Sequence, residues 1–141
     1  MKTLRSIVAG LALLVVSNVV KADEPKAVKL TKNHAVETYV SSMTLGKSAG
    51  LSDVLDQSAK FSILRGNKVM SFDRTQMLEF AKQNKDIQQA CSTSTSVVES
   101  NDDVSVVKVD MKYENFTRTN YVTVANTGDG WKITNVYSVF K

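Results

Sequence analysis

The chain has 141 residues, 18 of them Lys or Arg against 14 Asp or Glu, for a formal net charge of +4, with 43% hydrophobic residues and one cysteine. That length suits a single domain whose core folds without disulfides, and Cys91, with no partner in the chain, is either a buried small hydrophobe or a free thiol. The basic side chains are scattered among acids with no interleaved aromatic stripe, which excludes a nucleic-acid binder and a polybasic membrane patch.

In chain order, the first segment reads as an export signal. Lys2 and Arg5 form a short basic start, Ile7 to Val20 is apolar, and Val20-Lys21-Ala22 offers a peptidase site, so cleavage is expected after Ala22. The apolar run is shorter than the roughly 20 residues a spanning helix needs. No cysteine stands at the cleavage point for lipid attachment, so the expected product is exported, periplasmic or secreted, and free of the membrane. Residues 1–22 are thus assigned to the signal, 23–30 to a flexible polar lead-in holding the only proline, and 31–141 to the domain. Without the signal the balance is 15 basic against 14 acidic side chains.

From Asn33, the apolar positions Val36, Tyr39, Val40 and Met43 recur at helical spacing and predict an amphipathic helix. His34, the only histidine, falls opposite that stripe and faces water. "LSDVLD" predicts a short second helix with Ser52 as its N-cap. "KFSILRGNKVMSF" predicts a hairpin turning at Gly66-Asn67. Asp73 followed by Gln76 is a capping-box start for a third helix, with Met77, Phe80 and Ala81 on one face.

Beyond Ile87 the period becomes two. "ACSTSTSVVES", "VSVVKVDMKYE", "TRTNYVTVAN" and "WKITNVYSVF" predict four strands joined by short turns, an antiparallel meander. In the second of these, Val107, Val109, Met111 and Tyr113 share one face. Val104, Val106, Arg118, Val122 and Val124 are expected on the other face of the sheet, exposed, where a second copy would cover them. Alternation leaves open which face meets the helices. Gly128 and Gly130 make the last turn and return Trp131 and Ile133 to the core. The fold class is α+β, with helices on one face of a strongly curved antiparallel sheet.

The opening helix "NHAVETYVSSM", the turn Arg65-Gly66-Asn67-Lys68, the strand "VSVVKVDMKY" and above all "GDGWKITNV" resemble the nuclear transport factor 2-like superfamily, with its ketosteroid isomerase-like and SnoaL-like branches. Closest among them are secreted proteins of the "Putative lumazine-binding" type. The resemblance covers residues 31–141 and implies a cone-shaped domain with an interior pocket. It makes Tyr39, Met43, Asp53, Asp56, Tyr113 and Trp131 the pocket-lining candidates.

No catalytic set is visible. A metal site lacks ligands beyond His34 and Cys91, no cofactor motif occurs, and most acids fall in turns, caps or polar faces. Asn115-Phe116-Thr117 matches a glycosylation sequon but carries little information at that length. The leading expectation is an exported, non-enzymatic domain that binds a small hydrophobic or aromatic ligand in the cone or a partner on the sheet, and that forms a homodimer through the sheet. The alternative is a lyase or isomerase using a carboxylate, Asp53 or Asp56, with a tyrosine donor in the pocket.

Overall fold

The computed structural model describes residues 30–141, so the expected signal over residues 1–22 and nearly all of the expected lead-in lie outside the described residues. Helix α1, Lys32–Leu45, opens on Thr31, whose hydroxyl accepts the His34 N–H, and buries Ala35, Val36 and Tyr39 while His34 stays exposed. It ends at Gly46, whose φ of 70° turns the chain out of the helix. A Cβ at Gly46 would lie 2.5 Å from the backbone nitrogens of both Asp86 and Ile87, so glycine also permits a close crossing of two chain segments there.

Helix α2, Leu51–Val54, is a single turn. The expected Ser52 cap does not form. Gly50, at φ 82°, occupies the N-cap with no side-chain bond, and the helix is instead held from beyond its C-terminus by Arg74, which donates to the Ser52 and Leu55 carbonyls. Strand β1, Leu55–Arg65, begins earlier than the alternation suggested, because four of its residues bulge against β6 between Leu55 and Lys60. The Gly66-Asn67 turn leads into β2, Lys68–Asp73, and Arg65 pairs with Lys68 as expected. Helix α3, Arg74–Gln83, starts on a complete capping box between Asp73 and Gln76. It buries Met77 and Ala81, but Phe80 is 47% exposed.

The meander follows as β3, Ser92–Ser100; β4, Val104–Lys112; β5, Thr117–Thr127; and β6, Gly130–Phe140. Among the described residues these strands form one six-stranded sheet in the order β2-β1-β6-β5-β4-β3. It is antiparallel except for the β1–β6 pair, which is parallel. That pairing exists because the chain reaches β1 from the helices and returns to it only after the whole meander, so the last strand lies in the interior of the sheet.

The core lies between the helices and one sheet face. There Val107, Val109 and Met111 of β4 meet Val122 and Val124 of β5 and Ile133 and Val136 of β6. This corrects the expected second face. Val122 pairs with Val107, and cross-strand partners share a face, so Val122 and Val124 point inward and are fully buried. Arg118 follows them inward by the same alternation. The outer face carries Val104 and Val106 with Thr119, Tyr121 and Thr123. Trp131 is only half-buried, its ring covered on one side by the Lys32 ammonium 4.8 Å from the centroid.

Candidate functional site

On the concave face, β1 supplies Phe61 and Ile63, β2 Phe72, β6 Val136 and Ser138, and β5 Arg118. Helix α1 closes the space with Tyr39 and Met43, and α3 with Met77 and Phe80. They enclose a pocket of about 480 Å³, a volume typical of small-molecule sites. The register sets its wall. Phe61 is paired with Phe72 and with Val136, and Ile63 with Ser138, so one row of inward side chains crosses three strands. The Tyr39 ring lies 6.5 Å from that of Phe61, nearly parallel to it.

Against this apolar wall stands one polar group of defined geometry. Arg118 donates through Nε to the Asn120 side-chain oxygen at 3.0 Å and through a terminal nitrogen to the Ser138 hydroxyl at 3.3 Å. Ser138 in turn donates to the same Asn120 oxygen at 2.6 Å, and the Asn120 amide donates to the Val109 carbonyl at 3.2 Å. Asn120 and Ser138 are both buried, which fixes the guanidinium in one orientation. The ion pair among the described residues joins Lys108 to Asp110 at 3.9 Å, leaving Arg118 without a carboxylate partner among them.

Two buried hydroxyls near Arg118 lack hydrogen-bond partners, that of Tyr39 in the pocket wall and that of Ser42. Ser42 lines a recess of about 60 Å³ that shares Met43, Phe80 and Arg118 with the pocket. Burial pushes the Tyr39 phenol up, partly offset by the Arg118 charge, so it is a protonated donor at neutral pH. Tyr113 lines the recess as well, with its hydroxyl donating to Gln89 at 3.2 Å. Burial, and next the neighbouring Cys91, raise its pKa.

The remaining candidates lie elsewhere. Asp53 is exposed on α2. Asp56 is committed to the β1 bulge, where its carboxylate accepts from the Ser58 backbone N–H and hydroxyl, which lower its pKa. Neither lines the pocket, whose carboxylate is Glu79, exposed on α3. Trp131 sits at the other end of β5 and β6 from Arg118, in a shallow surface hollow with Leu30 and Lys32. The described residues contain no group of three or more potential metal-ligating His, Cys, Asp or Glu. Sequence reasoning missed Arg118, Asn120 and Ser138. Their signal was parity, since Arg118 and Asn120 alternate in step with Val122 and Val124, and Ser138 with Val136.

A six-stranded curved sheet wrapped on N-terminal helices around such a pocket can now be set beside known proteins. The family described as "Putative lumazine-binding" matches residues 28–138. The chain belongs to that family. Its fold is nuclear transport factor 2-like. A protein of that type and of unknown function from Silicibacter pomeroyi DSS-3 superposes with a TM-score of 0.61 at 19% identity, over 77% of this chain and 90% of that one. Another from Pseudomonas aeruginosa gives 0.58 at 12% identity, over 78% and 97%. A cystatin-like fold protein from Burkholderia xenovorans LB400 gives 0.61 at 13% identity, over 83% and 93%. At such identities the likeness concerns the fold alone. No curated protein matches the chain significantly.

Proposed function

We propose that this lumazine-binding family domain is a binder of small, largely apolar or aromatic molecules, held in the pocket between α1, α3 and the concave sheet face. The observation that carries this reading is the pocket itself, in which an apolar wall of about 480 Å³ converges on a rigidly held guanidinium with donors to spare. The family description suggests a planar heteroaromatic such as lumazine as the first compound to try. Titration of lumazine fluorescence, together with thermal unfolding in a panel of small aromatics, tests the proposal. A ligand at about a hundred times its Kd should stabilise the protein by about 2.7 kcal/mol, and Ile63→Trp, which fills the space, should abolish the effect. The absence of any shift across the panel would overturn the proposal.

The geometry does not favour the lyase or isomerase alternative. Asp53 and Asp56 stand away from Tyr39, so the acid–tyrosine pair they would supply is not assembled in the pocket. A homodimer through the outer sheet face is proposed on the apolar side chains there, including Val69 at 54% exposure, Val106 and the cross-strand pair Tyr121 and Tyr137. Sedimentation equilibrium at micromolar concentration tests it, and a monomer would end it. Export is proposed on the composition of residues 1–22, and mass spectrometry of the cell-free fraction should find them removed.

A further inference from the structure

We infer that the pocket's ligand is an acid, an aromatic or aliphatic body bearing a carboxylate that docks on Arg118 with the Tyr39 hydroxyl as second donor. This rests on the binding function proposed above and narrows it to a chemical class.

Three features of the structure lead there. First, Arg118 is a half-buried cation at the floor of a mostly apolar pocket, with no acidic partner among the described residues. Its two hydrogen bonds are to neutral groups and its guanidinium faces the Phe140 ring 5.6 Å from the centroid, so its orientation is fixed while no anion among the described residues pairs with its charge. A guanidinium has five N–H donors in a planar fork that matches the two oxygens of a carboxylate. The Asn120–Ser138 pair occupies one edge of the fork and leaves the remaining donors for a ligand. Second, the Tyr39 hydroxyl is fully buried in the wall of the same pocket and makes no hydrogen bond. An orphaned buried donor is rare because it sacrifices a hydrogen bond to water, and an acceptor drawn to the Arg118 charge, which already acts on this phenol, would restore it. Third, the groups that orient the guanidinium are uncharged throughout. Asn120 accepts from both Arg118 and Ser138 and is itself tied to the Val109 carbonyl. A buried acid in place of Asn120 would have neutralised Arg118 and made it a structural ion pair. An amide keeps it oriented, with its charge free to pair with an incoming anion.

The two candidate chemistries separate cleanly. A neutral heteroaromatic would use the apolar wall and gain little from the charge, whereas an acid would use both. Naphthalene-2-carboxylate and naphthalene-2-carboxamide have the same body and differ in that charge. Calorimetric titration of each into the wild-type protein at pH 7 is expected to show the carboxylate at least about tenfold tighter, as charge-assisted bonds to a preorganised fork imply. Arg118→Met should remove the preference while keeping the amide's affinity, and Tyr39→Phe should reduce it several-fold. Equal affinity of the two compounds for the wild type would overturn the inference and leave the binding function standing. Binding of neither, with no thermal shift from any aromatic, would overturn both. The wild-type comparison needs no variant to fold.

Discussion

The Ser138 hydroxyl on β6 donates to the Asn120 side-chain oxygen on the neighbouring strand β5 at 2.6 Å, and both side chains are excluded from water. The bond ties two strands on their inner face and turns the amide so that its oxygen also receives Arg118. Asn120→Leu should destabilise the protein by about 2 to 3 kcal/mol, since it strands the partners of a buried network. Ser138→Ala should cost about 1 kcal/mol. Because both act on one network, the double variant should lose less than the sum of the two, by at least about 0.5 kcal/mol. Urea denaturation of the four proteins measures the cycle.

Tyr39→Phe separates stability from binding. Deleting a buried hydroxyl that has no partner should leave the ligand-free protein as stable or up to about 1 kcal/mol more so. The change also alters the alkaline limb. Burial raises the folded pKa of Tyr39 above the ordinary phenol value of 10.0, so its protonated form is favoured by folding. That contribution is complete below the unfolded pKa and is lost as pH rises through the folded one. Chemical melts between pH 9 and 12 should therefore show a shallower decline for Tyr39→Phe than for wild type. Tyr113, also raised, supplies part of the slope that remains.

Gly46→Ala should destabilise by about 2 to 4 kcal/mol. The residue combines positive φ with an approach to backbone atoms that cannot swing aside, the Asp86 and Ile87 nitrogens. The same crossing carries the Asp86 N–H to the Gly46 carbonyl at 2.9 Å, so the loop after α3 should loosen as well. Hydrogen exchange over residues 84–90 is the local readout, and an unchanged pattern would contradict the assignment.

Trp131→Ala should cost about 1 to 3 kcal/mol, less than the 3 to 5 typical of a fully buried tryptophan. Trp131 is only partly buried, and what the variant loses is its packing against the edge of the core and the Lys32 cation–π contact. Ligand affinity should be unchanged, because the hollow beside Trp131 is separate from the Arg118 pocket.

Much of the fold was legible because local rules agreed with the tertiary structure. The Val36, Tyr39, Val40, Met43 stripe, the Asp73 capping box and the Gly66-Asn67 turn each stand as the sequence reading placed them. What alternation could not supply was the sense of β5. Val104 and Val106 make both faces of β4 apolar, so nothing local says which parity of the next strand faces inward, and only the Val107–Val122 pairing decides it. The same ambiguity hid the site. Arg118 shares the parity of Val122 and Val124, and because that row turns inward the arginine forms the pocket's polar floor. Asp53 and Asp56 are pocket candidates on the resemblance alone, with no local pattern to place them. The bulge in β1 that consumes the Asp56 carboxylate depends on β6, far away in sequence.

The parallel pairing of β1 with β6 also governs the order in which the molecule can be completed. Strand β6 follows every other strand in the chain yet sits between β1 and β5. During synthesis the β1–β2 hairpin and the β3–β4–β5 meander would emerge as two separate half-sheets, each with an unpaired edge that only β6 can join. The inner-face residues Phe61 and Ile63 on β1 would have Phe72 and Met70 of β2 on one side only and would wait for Val136 and Ser138 on the other. A nascent chain arrested before β6 should therefore expose both halves to chaperones and to protease, and protection should arise late and at once when the last strand clears the ribosome.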